Sequence, residues 1–221
     1  GGVAVFHDWS LECRTNGSGE TRSATIAYLK TLDVGHGYTA DGGATYPFRG
    51  QGVGLLPTLQ EVLAAFPDGR FLLDHKSGDG QTLGWVLAGL PAAQRAALTY
   101  WGSREVYDRM LEQAPGLAYF NNRRGMKDCV LGYALQLFNG ALPAACSERS
   151  VGLPIAYVSW APGWPNRLLR KVRTADSRFF VAGVDTPEAF ASLRAIPIDG
   201  IVTDHIERIS PALDAASRAE P

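Results

Sequence analysis

The sequence predicts an α/β protein in which helices cover both faces of a parallel sheet. Three observations lead to this fold class: the strand segments are short, they are apolar on both faces, and helices separate them. From residue 71 onward, six such strand units follow one another. An open doubly wound sheet fits six strands. An eight-stranded TIM barrel would need two further strands before residue 1, apart from a short opening strand.

The composition is ordinary for a soluble globular protein. Charged residues make up 19% of the 221 residues, and hydrophobic residues make up 46%. The net charge of −1 gives no reason to expect nucleic acid or an anionic membrane as a partner. No apolar run approaches the roughly 20 residues that a membrane-spanning helix needs.

The chain begins with a short predicted strand, "VAVF", which leads into His7 and Asp8. Residues 9–57 are rich in Gly, Thr and Asp and contain one short helical piece near Thr25–Leu32. So long an irregular stretch predicts an insertion or an active-site loop.

Strand and helix segments then alternate along the chain. Helix starts are marked by a capping box at Thr58 and Glu61, by Pro165, and by Thr186 followed by Pro187. The predicted strands are "RFLLDHK", "AALTYW", "GLAYF", "LPIAYVSW", "RFFVAGV" and "DGIVTDH". The first predicted helix is "PTLQEVLAAFP". The helices after it are Leu83–Leu90, "SREVYDRMLEQAPG", "MKDCVLGYALQLF", "PNRLLRKVRTA" and "TPEAFASLRAI". A short polar tail ends the chain, and no Gly-rich nucleotide-binding loop follows any strand.

Polar side chains follow the predicted strands at the edge where a parallel barrel has its active site. His7 follows the opening strand, and Asp74 and Lys76 lie at the end of the next one. Since side chains alternate along a strand, Asp74 and Lys76 share one face and His75 takes the other. A carboxylate and an ammonium group at one barrel mouth suit a site where a metal cation and a phosphate meet. An internal salt bridge between Asp74 and Lys76 fits the sequence equally well.

Two further features have both a functional and a structural interpretation. His7 is either a proton donor and acceptor, since imidazole titrates near neutral pH, or a hydrogen-bonded loop residue, with Asp8 orienting it or capping the loop. Trp160 and Trp164 belong to a rigid, proline-containing segment after a strand. Their rings either line an apolar substrate pocket or pack in the core.

Four segments, in order, resemble the motifs of the glycerophosphodiester phosphodiesterase family. "VFHDWSLECRTNGSGETRSATIAYLKTLDVG" contains the family's His-Asp, then a Leu, Arg-Thr, Gly-x-Gly and Leu-Asp. "LPTLQEVLAAFP" is similar to its Pro-Thr-Leu-x-Glu-Val-Leu helix. "FLLDHKS" takes the place of its Glu-Ile-Lys strand, and "IPIDGIVTD" that of its closing strand. The resemblance covers nearly the whole chain, and "PIAYVSWAPGWPNRLLRKV" is similar to a bacterial branch with a tryptophan-rich insert.

The resemblance implies a single, partial domain over residues 1–221. Its fold would be the TIM (β/α)8 barrel of the phosphatidylinositol-phospholipase-C-like phosphodiesterases, lacking its first strands in this chain. Family members begin with a strand ending in His-Arg-Gly, then a helix and a strand carrying Glu-x-Asp, before a turn to which Gly1-Gly2 would correspond. The first catalytic histidine and two metal-ligating carboxylates are therefore expected to be absent, and the 221 residues are expected to be inactive by themselves.

The resemblance also assigns a role to each remaining site residue. His7 matches the second catalytic histidine, a general acid to the leaving alcohol, Asp74 the third metal-ligating carboxylate, and Lys76 the phosphate-facing lysine. The family has Glu at the position of Asp74. The Asp74 side chain is one methylene shorter than that Glu and reaches less far toward a metal. The seventh strand of the family ends in Trp-Thr-Val-Asn, whereas this chain has "VAGVD" at 181–185 and so lacks the family's pocket tryptophan. Trp160 or Trp164 would replace it.

The implied reaction is metal-assisted hydrolysis of glycerophosphodiesters to glycerol 3-phosphate and an alcohol, with Ca²⁺ or Mg²⁺ as the cofactor. The partner would be a small-molecule glycerophosphodiester or a lysolipid. Two alternatives are a related barrel phospholipase acting on lysophospholipid headgroups, and a non-catalytic barrel that binds lipid or phosphate. Headgroup, membrane association and compartment (cytoplasmic, periplasmic or membrane-anchored) are left open by the sequence.

The three cysteines, Cys13, Cys129 and Cys146, fit no zinc-binding spacing. Cys129 and Cys146 flank one predicted helix and its exit, so we expect them to lie closer to each other than either lies to Cys13. Buried free thiols fit the sequence, and so does one disulfide, which would indicate an exported protein.

Overall fold

The computed structural model describes residues 2–121, 123–136, 140–147 and 150–218. The chain forms two compact units, Gly1–Ala118 and Tyr119–Pro221. Within the described residues, no helix is long and apolar enough to cross a membrane.

The first unit contains two strands and five helices. In chain order these are α1 (Ile26–Leu29), α2 (Leu59–Ala65), β1 (Phe71–Asp74), α3 (Gln81–Ala88), α4 (Ala92–Ala96), β2 (Leu98–Trp101) and α5 (Arg104–Gln113). The predicted capping box is confirmed at α2, where the Thr58 side chain accepts the Glu61 amide and the Glu61 carboxylate accepts the Thr58 amide.

Strands β1 and β2 run parallel, with Leu73 beside Tyr100 and Asp74 beside Trp101. The face carrying Tyr100 is covered by α5, because the fully buried Tyr100 ring lies 5.8 Å from the ring of Tyr107. The opposite face exposes Leu72, whose relative accessibility is 40%. Consecutive β1 side chains thus alternate between the helix-covered face and an open face.

Residues 9–57 form an ordered loop with a small core of its own. The core consists of buried leucines from four points along the loop, namely Leu11, Leu29, Leu32 and Leu56. Isolated antiparallel bridges join Ser10 to Glu20 and Asp33 to Val53. The carboxylate of Asp33 is buried and accepts the backbone amides of Gly35, Gly50 and Gly52 at 2.6–3.0 Å. These bonds stabilise a stretch that has little regular secondary structure.

The second unit contains most of β3, three further strands and five helices. In chain order its elements are β3 (Ala118–Phe120), α6 (Arg123–Leu135), β4 (Ser150–Pro154), α7 (Ile155–Val158), α8 (Asn166–Thr174), β5 (Arg178–Ala182), α9 (Pro187–Leu193), β6 (Gly200–Val202) and α10 (Ile206–Arg218). The pairs β3–β4, β4–β5 and β5–β6 are all parallel. At α9 the predicted Thr186 cap is confirmed, since its side chain accepts the Ala189 amide.

The core of the second unit is built from the inner faces of its helices and strands. Its fully or nearly fully buried members include Cys146, Val172, Phe179, Val181 and Val184. A disulfide joins Cys129 of α6 to Cys146, while Cys13 is an exposed free thiol. The expected proximity of Cys129 and Cys146 is therefore confirmed.

Three sequence-based element predictions are wrong. "VAVF" is not a strand, because Ala4 forms only one antiparallel bridge, to Thr58, and has no parallel neighbour. The strand predicted at "LPIAYVSW" lies earlier, at Ser150–Pro154, and residues Ile155–Val158 are helical. A short apolar run does not by itself distinguish a strand from a buried helix. Here Pro154 ends the strand and is also the N-cap residue of α7. The supposed polar tail forms α10, which is anchored by the fully buried Ile209.

Candidate active site

The end of β1 places a carboxylate beside an ammonium group. Asp74 is the last residue of β1, and the Nζ atom of Lys76 lies 2.5 Å from its Oδ2 atom. Both side chains are partly exposed. Asp74 has the same strand parity as Leu72, so it lies on the open face and not on the face that packs against α5. The pair is therefore accessible to a ligand.

His75 contacts the helix-covered face of the sheet and not the open face. Its Nδ1 atom lies 3.1 Å from the hydroxyl of Tyr100, which lies on the helix-covered face. Burial lowers the pKa of His75 below its usual range. The His75 side chain is thus a half-buried hydrogen-bond partner of Tyr100, and the expected division of Asp74, His75 and Lys76 between two faces is observed.

His7 forms a pair with the residue that follows it. The Nδ1 atom of His7 lies 2.7 Å from Oδ1 of Asp8, and Nε of Arg14 donates to the other oxygen of Asp8 at 3.0 Å. The hydrogen bond from His7 is the main cause of a lowered pKa at Asp8. An ionised carboxylate only accepts hydrogen bonds, so the His7 Nδ1 atom carries the proton. The Nε2 atom of His7 is left for a ligand, and the side chain is 80% exposed.

The loop that follows His7 is held by backbone and side-chain bonds. The Thr21 amide donates to the Trp9 carbonyl at 2.9 Å, and the Thr21 hydroxyl donates to the Asp8 carbonyl at 2.8 Å. The Leu11 amide donates to the Gly19 carbonyl at 3.0 Å. These bonds fix the backbone of residues 8–11, which directly follows His7. Our sequence reasoning missed Arg14 as a partner of Asp8, although Arg14 belongs to the Arg-Thr motif of the resemblance.

The structure forms two separate polar pairs from the predicted site residues of the first unit. Asp74 contacts Lys76, and His7 contacts Asp8. Across the part of the chain that the structure describes, no hydrogen bond or ion pair joins one pair to the other.

The two candidate pocket tryptophans have different environments in the second unit. The Trp164 ring packs against Phe179 with a centroid distance of 5.6 Å and belongs to the edge of the core. Trp160 lies in the turn after α7 and is 84% exposed.

The ends of β5 and β6 carry a polar group, and our sequence reasoning missed Asp185 as its acceptor. Asp185 accepts the hydroxyl of Thr203 at 3.0 Å and the amide of Asp204 at 2.9 Å. The Asp204 amide is the main cause of the lowered pKa of Asp185. Asp185 therefore joins two neighbouring strand ends, at the position where the family resemblance has asparagine.

A divalent metal does not fit the described residues on their own. Ca²⁺ and Mg²⁺ are held by several oxygen ligands at once. Asp74 offers one carboxylate, which is already paired with the Lys76 ammonium group. Among the residues that the structure describes, no group of three or more His, Cys, Asp or Glu side chains is arranged to hold a metal ion.

Comparisons with known proteins show the same fold in solved phosphodiesterase structures. No protein-family model matches the sequence, and no curated protein matches it. The glycerophosphoryl diester phosphodiesterase domain of a Mycobacterium tuberculosis protein aligns with a TM-score of 0.73 and 17% identity, over 97% of this chain and 82% of that chain. A glycerophosphodiester phosphodiesterase from Agrobacterium tumefaciens aligns with a TM-score of 0.67 and 20% identity, over 93% and 79% of the two chains.

A third similar structure is a phosphodiesterase from Oleispira antarctica in complex with the product sn-glycerol-3-phosphate. It aligns with a TM-score of 0.60 and 17% identity, over 96% of this chain and 79% of that chain. The described residues contain six strands, with parallel pairing of β1 with β2 and along β3 to β6. A closed barrel of this type has eight. The predicted fold class is confirmed: this chain has the α/β fold of the glycerophosphoryl diester phosphodiesterases.

Proposed function

We propose that this chain belongs to a phosphoric diester hydrolase that cleaves glycerophosphodiesters to glycerol 3-phosphate and an alcohol. The observation that carries the proposal is the fold shared with several phosphodiesterases, one of which was solved with sn-glycerol-3-phosphate. Two polar pairs support it, because the resemblance assigns His7, Asp74 and Lys76 to catalysis and all three are accessible.

Lys76 would bind the phosphate as a compact positive charge. The binding of a phosphate would require the ammonium group to leave or share its contact with Asp74, which is possible because exposed ion pairs are weak. In its imidazolium form, with a proton on each ring nitrogen, His7 would deliver the Nε2 proton to the leaving alcohol oxygen and become the neutral ring that keeps its Nδ1 proton. Asp8 would hold the Nδ1 proton and fix the ring orientation, with Arg14 holding the carboxylate in turn.

Metal dependence is part of the proposal only for a form of the protein that also carries the family's Glu-x-Asp segment. Asp74 would then be one of several oxygen ligands for Ca²⁺ or Mg²⁺, and the ion would supply charge stabilisation at the phosphoryl oxygens. We propose that the 221 residues by themselves do not hydrolyse phosphodiesters at a measurable rate, since they offer a single site carboxylate and a single site histidine.

The test compares two proteins, the 221-residue chain and the same chain preceded by a segment with His-Arg-Gly and Glu-x-Asp. Both are assayed with glycerophosphocholine and with lysophosphatidylcholine, with added Ca²⁺ or Mg²⁺. We expect release of glycerol 3-phosphate from glycerophosphocholine only by the longer form, and its loss in the matched Lys76→Met variant. Release of choline phosphate or lysophosphatidate, with glycerophosphocholine left intact, would instead indicate a phospholipase. Phosphodiester binding without hydrolysis by the longer form would contradict the enzyme proposal.

A further inference from the structure

Helix α8 presents a basic face to solvent. Three arginines, Arg167, Arg170 and Arg173, are exposed on it, and no acidic residue occurs between Asn166 and Thr174. The opposite face is apolar and buried in the core of the second unit, through Leu168, Leu169 and Val172. The helix is therefore anchored by one face, and the other face is exposed to solvent.

Three basic side chains of α8 differ in their contacts with the rest of the protein. Lys171 is directed at the protein, where it donates to the Gly140 carbonyl and lies 4.7 Å from the centroid of the Tyr133 ring. Arg173 donates one bond, to the carbonyl of Pro197 at 2.5 Å. Among the described residues the Arg170 guanidinium has neither a hydrogen-bond partner nor an ion-pair partner, while the Arg170 carbonyl accepts the hydroxyl of Thr174. The positive charge of Arg170 and Arg173 is thus not neutralised by a carboxylate.

Arg170 and Arg173 line a surface cleft of about 530 Å³. Its other lining residues are Asn166, Leu169, Thr174 and Pro197, so no carboxylate lines it. A guanidinium group binds phosphate through two parallel hydrogen bonds, and an open cleft with two such groups can admit a phosphate headgroup.

Exposed aromatic side chains precede this helix. Tyr157 on α7 is 67% exposed and Trp160 in the following turn is 84% exposed. The turn is tied to α8, because the Trp164 amide donates to the Ala161 carbonyl and the Leu168 amide donates to the Gly163 carbonyl. Tryptophan and tyrosine combine an apolar ring with a polar atom, and such side chains are enriched where lipid headgroups meet hydrocarbon.

We propose that the surface carrying Trp160, Arg170 and Arg173 binds an anionic phospholipid bilayer. Arg170 and Arg173 would contact lipid phosphates, and Trp160 would insert at the headgroup level. The overall charge of −1 conceals this patch, since the charges elsewhere on the chain balance it. The proposal does not depend on catalysis, because it concerns binding alone.

The test is co-sedimentation of the 221-residue chain with vesicles of phosphatidylcholine alone, or of phosphatidylcholine and phosphatidylglycerol in equal parts. We expect binding to the anionic vesicles only, with a loss as salt is raised. Arg170→Glu/Arg173→Glu should lower the partition coefficient by about 25-fold or more, on an estimate of about fivefold per cation near an anionic surface. The control, Arg104→Glu/Arg109→Glu on α5, makes the same change in net charge and should bind like the unchanged chain.

Trp160→Ala provides a second variant that leaves the charge unaltered. It should weaken binding and remove part of the blue shift of tryptophan fluorescence on addition of anionic vesicles. Circular dichroism of each variant establishes that it is folded. Equal binding to both vesicle types, equal binding by the α5 and α8 variants, or tighter binding of a single-stranded oligonucleotide than of anionic vesicles would overturn the proposal. None of these measurements needs hydrolysis, so failure here is distinct from failure of the proposed enzyme.

Discussion

The Nδ1 atom of His7 lies 2.7 Å from Oδ1 of Asp8, and Nε of Arg14 lies 3.0 Å from the second oxygen of the same carboxylate. A histidine exposed to solvent would ordinarily sample several ring orientations. Here the Asp8 carboxylate contacts the Nδ1 atom of the ring, and Arg14 in turn donates a hydrogen bond to that carboxylate. Both a proton-transfer group and a hydrogen-bonded loop residue can have this arrangement, and variants of the pair distinguish the two.

Substitutions of His7, Asp8 and Arg14 should distinguish the proton-transfer group from the residues that orient it. In a form of the protein that hydrolyses glycerophosphodiesters, we expect His7→Ala to lower kcat by about 100-fold or more, because a general acid contributes at least that much. Asp8→Asn should cost less, since the asparagine oxygen can still accept the Nδ1 proton, and Arg14→Gln should cost least. Steady-state kinetics measure the three effects. A larger loss for Arg14→Gln than for His7→Ala would contradict the assignment.

Asp74 should matter more for metal binding than for folding. Asp74→Ala removes one anionic ligand, whereas the partly exposed pair with Lys76 contributes at most about 1 kcal/mol to stability. We expect weaker Ca²⁺ or Mg²⁺ binding in the longer form by isothermal titration calorimetry, and a nearly unchanged urea midpoint. Asp74→Glu, which restores the family residue, should keep or raise activity. Unchanged metal affinity in Asp74→Ala would mean that Asp74 is only an ion-pair partner of Lys76.

His75 should make the first unit sensitive to mild acid. Burial depresses the pKa of His75 in the folded chain, while in the unfolded chain the imidazole has its ordinary value near 6.5. The unfolded state then binds a proton more readily. The stability due to this group is fully present above about pH 6.5 and is lost as the pH falls through that value toward the depressed one. Urea unfolding between about pH 7.5 and pH 5 measures the loss.

The matched variant for this test is His75→Gln, which can still form a hydrogen bond with Tyr100 but does not titrate. Its stability should depend less on pH across the same window than that of the unchanged chain. If both proteins lose the same stability on acidification, another group is responsible.

Asp33 should set the acid stability of the loop that precedes α2. Its buried carboxylate accepts three backbone amides, and the bond from Gly50 is the main cause of its lowered pKa. A depressed carboxyl pKa stabilises the folded state above the ordinary value of about 4, and this contribution is lost as the pH falls below it. The protection factors of the Gly50 and Gly52 amides, their exchange rates relative to those of an unfolded chain at the same pH, should therefore fall in acid. Asp33→Ala should give fast exchange at neutral pH as well, while Asp41→Ala, a change at an exposed loop carboxylate, should leave these two amides protected.

Reduction of the disulfide should destabilise the second unit. Cys129 and Cys146 are 17 residues apart, and closing a loop of about this length is worth roughly 3 kcal/mol. Thermal unfolding with and without reductant, and of the Cys129→Ala/Cys146→Ala variant, measures the effect. Before reduction an alkylating reagent should label Cys13 alone, and after reduction and unfolding it should label all three cysteines. Labelling of three thiols without reductant would contradict the bond.

Several elements could be predicted from the sequence because the interactions that form them are local. The caps of α2 and α9 join residues three positions apart, so Thr58 with Glu61, and Thr186 with Pro187, were sufficient signals. The order of the six parallel strands followed from short apolar runs separated by helical ones. The alternation of side chains along β1 likewise placed Asp74 and Lys76 together and His75 apart.

Other features depended on partners that are distant in the sequence. Residues 3–6 have the composition of a strand, but among the described residues their backbone groups pair with residues 57–59, at the start of α2, and with no strand. The strand Ser150–Pro154 is defined by its pairing with β5, and α10 by the burial of Ile209. Hydrogen-bond partners and burial are set by how elements pack, and a linear pattern does not contain them.

The same distinction applies to the site. Residue types and their order determined which side chains to consider, namely His7, Asp74 and Lys76. Only the tertiary structure decided that Arg14 supports Asp8 and that Trp160 is exposed while Trp164 is packed. The physical reason is that the exposure of a side chain and its partners depend on neighbours brought together by folding, whereas its chemistry is already present in the residue itself.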